Sequence, residues 1–213
     1  IVNLQCFSFI FTEEILKSSF MKKIVVFCGS SLGFNTVYKE AAIELGNYFV
    51  ANDIALVYGG GKIGMMGAIA NTMLDQKGNV IGVIPGLLEK EEVVHKGVSE
   101  LIITKKMSER KVIMSKLVDA YITLPGGFGT LDELFEALTL GQLHIEQKPI
   151  GILNVNGFFN HALQQLDVMV AAGFLKPENR KMLLVDETVK GLMQQIQNYK
   201  APEKSHVINK VVS

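Results

Sequence analysis

From Met21 onward the chain alternates short β-branched runs, which end near glycine, with longer amphipathic stretches. The short runs predict strands over 23–28, 54–59, 79–85, 100–104, 120–125 and 149–155. The longer stretches predict helices near 36–51, 64–77, 108–118, 130–143 and 157–172, and residues 177–199 have the pattern of two more helices. Near-continuous apolar strands that alternate with helices are typical of a parallel sheet covered on both faces.

This pattern contains no internal repeat, low-complexity tract or interdomain linker, and 213 residues suit a single domain. The prediction is therefore one Rossmann-like α/β domain over 21–199. Its core would be a doubly wound, mostly parallel sheet with helices on both faces.

Residues 1–20 stand apart from the pattern. Their apolar stretch is short and is interrupted by Gln5 and Ser8, so it resembles neither a signal peptide nor a membrane span. We interpret it as a non-native or disordered leader before a native start at Met21, with a genuine N-terminal arm as the alternative. Residues 200–213 form a polar tail that we expect to fray.

Charge and composition narrow the function classes. Basic and acidic residues number 21 each, which argues against a nucleic-acid partner and against a DNA-handling Rossmann-like protein. Two widely spaced cysteines, Cys6 and Cys28, suit a reducing cytoplasm. The four histidines have no metal-site spacing, so we expect no metal. We also expect no cofactor and no membrane association.

Three glycine clusters follow predicted strands, at Gly29-Ser30-Ser31, at 59–64 and at 126–130. Ligands of doubly wound sheets bind beyond the carboxyl ends of the strands, where glycine lets the backbone approach them. The start of the next helix favours an anion there. A single glycine is common in a turn between a strand and a helix, but three clusters together favour a phosphate-bearing ligand.

The sequence of the second cluster distinguishes between the candidate phosphate-bearing ligands. Residues 59–64 fit the pattern G-x-G-x-x-G, but the next strand ends at 83–86 without the acid that would hold the ribose of NAD. Lys62 does not complete a triphosphate-binding P-loop, since Leu56 and Ile63 replace the required glycine and hydroxyl residue. A nucleoside monophosphate or a sugar phosphate fits better.

Two charged residues are candidates for chemistry. Helical spacing places Glu133 opposite an apolar face formed by Leu131, Leu134, Phe135 and Leu138, near the expected ligand crevice. The alternative is a purely structural role, in which Glu133 and Thr130 form a capping box at the start of the helix.

Arg110 lies on the same arc as Ile113, Met114 and Leu117, so its charge needs an anionic partner. A structural carboxylate, a substrate phosphate or a catalytic glutamate would each serve.

At these residues the chain resembles a known family. Residues 125–133 match P-G-G-x-G-T-x-x-E, the signature of the LOG family of cytokinin riboside 5′-monophosphate phosphoribohydrolases. Supporting matches over about 23–175 are FCGSS at 27–31, GGG at 59–61, GMMG at 64–67, GVIP at 82–85, Met107 with Arg110-Lys111, KPIG at 148–151 and NVNGFF at 154–159. Lys62 is a departure, because the family is expected to carry a neutral residue there.

The resemblance implies hydrolysis of the N-glycosidic bond of a nucleoside 5′-monophosphate, AMP or an N6-modified AMP, to a free base and ribose 5-phosphate. It implies that Arg110 and Glu133 are the catalytic pair. It also implies that the substrate is bound by Gly29, Ser30, Glu92, Lys111, Gly126, Gly127, Phe128, Gly129 and Thr130. Family members are often labelled lysine decarboxylases, but no lysine here has a recognisable Schiff-base setting.

The resemblance also implies a homodimer, which we expect to place helices 108–118 and 130–143 at or beside its interface. The mean hydropathy of +0.28 points the same way, because surplus apolar surface must be covered. The alternative function is that of a non-catalytic carrier of a phosphate-bearing ligand, similar to the molybdenum cofactor carrier proteins. Retention of both Arg110 and Glu133 favours the enzyme.

Overall fold

The computed structural model describes residues 21–89 and 94–202. The expectations stated for the leader at 1–20, for Glu92 and for the tail beyond Pro202 lie outside these residues.

The predicted strands and helices are found, with small shifts at their ends. The seven strands of the described chain are β1 (Lys23–Phe27), β2 (Ala55–Tyr58), β3 (Val80–Pro85), β4 (Glu100–Thr104), β5 (Ala120–Thr123), β6 (Ile150–Leu153) and β7 (Leu183–Asp186). The helices are α1 (Thr36–Ala51), α2 (Gly64–Asp75), α3 (Gly86–Glu89), α4 (Met107–Leu117), α5 (Phe128–Gln142), α6 (Asn160–Ala171), α7 (Pro177–Arg180) and α8 (Val189–Gln197). A short 3₁₀ turn, Val155–Gly157, precedes α6.

The prediction for 177–199 was incomplete. Two helices do lie there, but α7 is a single turn and strand β7 separates it from α8. The run Leu183–Asp186 is too short and too apolar for periodicity to distinguish a strand from a helix. It becomes a strand because it pairs in parallel with β6, from Ile150 opposite Leu183 to Leu153 opposite Asp186.

The sheet confirms the predicted doubly wound architecture. All its strand pairs are parallel, and the strand order is β4-β3-β2-β1-β5-β6-β7. The chain therefore builds outward in one direction from β1 to β4 and then returns to start β5 on the other side of β1. Ligands of such sheets bind at this reversal point, outside the carboxyl ends of the two central strands.

Each face of the sheet has its own apolar core, as burial on both sides of parallel strands requires. One face packs against α1, α2 and α8 through side chains such as Leu45, Ile69 and Leu192. The other face packs against α4, α5 and α6 through Met114, Leu134 and Leu166. Among the described helices, none is long and apolar enough to cross a membrane.

Candidate active site

The loops that follow β1 and β5 meet at the reversal point. The Gly29 amide donates a hydrogen bond to the Pro125 carbonyl at 3.0 Å. Gly126 must be glycine, since a Cβ there would overlap Thr130 Oγ1 and would lie 2.8 Å from the Gly29 amide nitrogen. Beside this contact opens a cleft of about 410 Å³, lined by Val26, Cys28, Gly29, Ser30, Gly59, Gly61, Ile63, Met66, Ile84, Met107, Arg110, Gly127, Phe128, Gly129, Thr130 and Glu133.

Helix α5 forms one wall of the cleft and begins earlier than predicted. It begins at Phe128, with Gly127 as the N-cap and no side chain capping its first turn. Thr130 is therefore inside the helix, and its side chain is buried. The proposed capping box between Thr130 and Glu133 is not formed, because Thr130 is not at the cap position.

The open start of α5 can hold an anion. The first N–H groups of a helix have no partner within the helix, and they carry the positive end of its dipole. A Cβ at Gly127 or at Gly129 would meet no atom within 4 Å. These two glycines therefore leave free space in front of the unpartnered N–H groups, which is the arrangement of a phosphate-binding helix start.

The second glycine cluster has two roles, because Gly59 and Gly61 line the cleft while Gly64 packs against the loop after β1. The start of α2 is already satisfied, because the Met65 amide donates to Gly29 O at 3.1 Å and to Ser31 O at 3.3 Å. Gly64 has a positive φ of 65°, and a Cβ there would overlap the Ser30 backbone. Gly64 therefore lets the two loops pack together, and exposed Lys62 does not line the cleft.

The buried stripe of α5 is also rotated from the predicted one. It consists of Thr130, Leu134, Ala137 and Gly141, while Phe135, which was predicted to be on the core face, is 41% exposed. Glu133 was predicted to lie opposite the apolar face. Its side chain is only 11% exposed and is directed at α4, where Arg110 is its partner.

Arg110 and Glu133, the buried pair, form a salt bridge across the cleft. Arg110 Nη1 lies 3.2 Å from Glu133 Oε1, and each side chain is 11% exposed. Arg110 Nε also donates to the Val83 carbonyl at 2.9 Å. Of the anionic partners considered for Arg110, the structure provides a carboxylate.

The guanidinium fits only because position 59 is glycine. A Cβ on Gly59 would overlap Arg110 Nη2. The end of β2, the carbonyl of Val83 on β3 and the carboxylate on α5 therefore fix the guanidinium from three sides.

Burial governs the protonation of Glu133. Desolvation raises the pKa of its carboxyl, and the positive charges of Arg110 and Lys111 lower it, with burial the larger effect. A carboxylate with a raised pKa is suited to accept a proton and to stabilise positive charge close to neutral pH.

Cys28 lies in the same cleft but cannot supply a thiolate. Burial, and then the nearby charge of Glu133, raise the pKa of its thiol far above the ordinary value. In the part of the chain that the structure describes, no group of three or more His, Cys, Asp or Glu residues could hold a metal ion. The described lining of the cleft also contains no lysine.

Lys111 does not line this cleft, contrary to the expectation. Its ammonium lies 2.6 Å from Asp132 Oδ2 and 2.8 Å from Glu136 Oε2 on α5. We call these three residues the ion cluster. Two of them, Lys111 and Glu136, line a neighbouring cavity of about 260 Å³ that Glu133 also lines. The contacts of Asp132 and Glu136 with Lys111 were not predicted, although their placement around Glu133 at helical spacing was a usable signal.

Sequence comparisons agree with this geometry. The family model described as "Possible lysine decarboxylase" matches residues 66–196. The cytokinin riboside 5′-monophosphate phosphoribohydrolase LOG3 of Arabidopsis thaliana is 43% identical over 199 residues, which are 93% of this chain and 92% of the relative. The corresponding LOG enzyme of Oryza sativa subsp. japonica is 42% identical over 183 residues, 86% of this chain and 76% of the relative. This chain belongs to the LOG family.

Solved structures show how widely the fold of this LOG-family chain is shared. The molybdenum cofactor binding protein of Rippkaea orientalis superposes with a TM-score of 0.63 at 21% identity, covering 84% of this chain and 98% of that one. The molybdenum cofactor carrier protein of Chlamydomonas reinhardtii gives 0.62 at 21% identity, with 84% and 99% covered. At this identity the likeness concerns the fold alone.

Proposed function

We propose that this LOG-family protein hydrolyses the N-glycosidic bond of a nucleoside 5′-monophosphate and releases the free base and ribose 5-phosphate. The observation that carries the proposal is the buried pair, which lies in the same cleft as the open start of α5. One end of the cleft suits a phosphate, and the other suits a reaction that builds positive charge on a sugar.

The phosphate would lie against the first turn of α5. Backbone N–H groups of 128–130 would hold it in the space left by Gly127 and Gly129. Gly29 and Ser30, which border the same cleft, complete the cradle. Gly126 contributes by permitting the loop contact beneath it.

The reaction breaks the bond between C1′ of the ribose and a ring nitrogen of the base. As the bonding electron pair leaves with the base, positive charge develops on the ribose ring, and a carboxylate beside the ring stabilises it. Glu133 would also orient a water and take its proton as the water oxygen bonds to C1′. Glu133 then gives up this proton, which reaches the base nitrogen, so the carboxylate is regenerated and the products are neutral base and ribose 5-phosphate.

Arg110 supports this chemistry in two ways. Its positive charge opposes the effect of burial on the pKa of Glu133, and so keeps the carboxylate available. Its fixed guanidinium also holds that carboxylate in one orientation through a charge-assisted contact.

The substrates that we propose are AMP and N6-modified AMP. The curated relatives are named for cytokinin riboside 5′-monophosphates. Incubation of the purified protein with AMP and with N6-isopentenyl-AMP tests the proposal. Equal amounts of free base and ribose 5-phosphate are expected from at least one of them. Tight binding of nucleotide without any base release would instead favour the carrier function.

We also propose that the protein is a homodimer whose interface includes α4 and the end of α5. Val112 on α4 is 52% exposed, and Leu143 and Ile145 after α5 are also exposed. Apolar side chains grouped in this way are characteristic of a surface that is covered in the assembled protein. We place the protein in the cytoplasm, for which the free thiol of Cys28 is suitable.

A further inference from the structure

Two consecutive residues of α4 contact two consecutive residues of α5. Arg110 pairs with Glu133 inside the cleft, and the next residue, Lys111, pairs with Asp132, the residue before Glu133. Glu136 adds a second carboxylate to Lys111 one helical turn further on. The buried pair therefore has the ion cluster directly beside it, joining the same two helices.

We propose that Lys111, Asp132 and Glu136 are positioning residues, because their ion cluster fastens α4 to α5 beside the buried pair. This inference rests on the proposed function. It assigns these residues a role in the reaction through Glu133 rather than by contact with the substrate.

Exposure and distance support a positioning role. Asp132 and Glu136 are 63% and 43% exposed, so their pairs with Lys111 are screened by solvent and add little to global stability. Their distances of 2.6 and 2.8 Å nevertheless hold the ammonium between two successive turns of α5. Such contacts fix the separation and rotation of the two helices, on which the salt bridge of Glu133 depends.

The ion cluster also acts on Glu133 through its charges. After burial, the pKa of the Glu133 carboxyl is lowered by Arg110 and Lys111 and raised by Asp132 and Glu136. Removal of Lys111 therefore raises this pKa, whereas removal of the two acidic charges lowers it. Among the described residues, Cys28 on the β1 side also faces Glu133, and its thiol stays neutral because burial raises its pKa.

Four variants test the inference: Lys111→Met, Lys111→Arg, the double variant Asp132→Asn/Glu136→Gln, and Lys116→Met. Lys116 is an exposed lysine on the same helix, so its variant is the matched control for loss of a positive charge. Each is assayed for kcat and KM with whichever of AMP and N6-isopentenyl-AMP the wild-type protein cleaves faster. The Glu133 carboxyl is titrated by carbon-13 NMR, and Tm is recorded for each variant.

We expect kcat to fall about 10- to 100-fold in Lys111→Met and in the double variant, the scale for misplacing a reacting group. KM should stay within about twofold of wild type, and Tm should change little. Lys111→Arg should recover most of the kcat, and Lys116→Met should behave as wild type. The NMR midpoint of Glu133 should rise in Lys111→Met and fall in the double variant.

A rise in KM at unchanged kcat in Lys111→Met would overturn the inference, since it would show direct substrate contact. A normal kcat in the double variant would also overturn it. The inference would likewise fail if the NMR midpoints of Glu133 stayed fixed, or moved in the same direction, in Lys111→Met and the double variant. Absence of base release by the wild-type protein would count against the proposed function instead. The NMR titration would then still test whether the ion cluster acts on Glu133.

Discussion

Arg110 on α4 and Glu133 on α5 face each other over the carboxyl edge of the sheet, with 3.2 Å between Nη1 and Oε1. Arg110 Nε also donates a hydrogen bond to the Val83 carbonyl oxygen at 2.9 Å, which fixes the guanidinium. Because both side chains are 11% exposed, the pair is largely shielded from water. Removal of either charge would therefore leave the other buried without its partner, so it should affect stability as well as the reaction.

The first prediction concerns Gly59, which lines the cleft next to the guanidinium of Arg110. In Gly59→Ala the added methyl would overlap Arg110 Nη2 and displace the guanidinium from Glu133. We expect kcat to fall about 10-fold or more, as for other displaced catalytic groups. Steady-state kinetics on the nucleotide substrate measures this. Gly86→Ala is the control, since a Cβ at Gly86 meets its nearest atoms at an ordinary 3.6 Å. Wild-type kcat in Gly59→Ala would show that the position of Arg110 is unimportant.

The second prediction separates two adjacent glycines of the cradle. Gly126→Ala should lower the free energy of unfolding by about 1–3 kcal/mol, because its methyl enters a packed contact with Thr130. Gly127→Ala should leave stability unchanged, because its methyl meets no atom within 4 Å. It should raise KM about 10-fold by occupying phosphate space. Chemical denaturation and steady-state kinetics on both variants test this, and an unchanged KM in Gly127→Ala would place the phosphate elsewhere.

The third prediction is a pH dependence. Burial raises the pKa of Glu133, so its carboxyl remains protonated up to a higher pH than an exposed glutamate. If the ionised form is required, kcat at saturating nucleotide should fall as the pH is lowered through this raised pKa. A bound phosphate would raise the value further, in the same direction. The acid limb of kcat should therefore lie above the ordinary range for glutamate, and a limb within that range would contradict the assignment.

The sequence predicted the doubly wound architecture correctly but missed the edge strand β7. Strongly apolar strands such as Val80–Pro85 and long helices such as Thr36–Ala51 are specified by local pattern and were predicted. Strand β7 was missed because Leu183–Asp186 is an edge strand with one buried residue, and only its pairing with β6 makes it a strand. A short, half-exposed run carries little periodicity of its own.

The site shows a similar division. Helical spacing and burial cost predicted that Arg110 needed an anion, and the family resemblance paired it with Glu133. The contact itself depends on the packing of α4 on α5. The start of α5 was placed too late because Gly129, a poor helix former, lies within its first turn. Lys111 was assigned to the substrate from the family resemblance, and its contacts with Asp132 and Glu136 on the other helix have no local pattern that could have predicted them.

The fourth prediction concerns the assembly. Val112→Glu should convert the proposed dimer to a monomer, because it places a charge on the exposed apolar surface of α4. Val168→Glu on α6 is the matched control, since Val168 has a similar exposure but lies on another helix. Light scattering at micromolar concentration measures the oligomeric state of the wild-type protein and of both variants. A monomeric wild-type protein with full activity, or dissociation by Val168→Glu alone, would contradict the proposed interface.

The role of Glu133 in the reaction is tested most directly by single-turnover cleavage with Glu133→Gln, with nucleotide binding measured on the same preparation. Glutamine keeps the size of the side chain and a hydrogen-bonding oxygen toward Arg110, but it has neither the negative charge nor the basicity of a carboxylate. If the Glu133 carboxylate stabilises the developing charge, the variant should fold and bind nucleotide with an affinity close to that of wild type. Base and ribose 5-phosphate should form at least about 100-fold more slowly, the scale for loss of one electrostatic stabiliser. Release of base at a rate close to that of wild type would contradict the account.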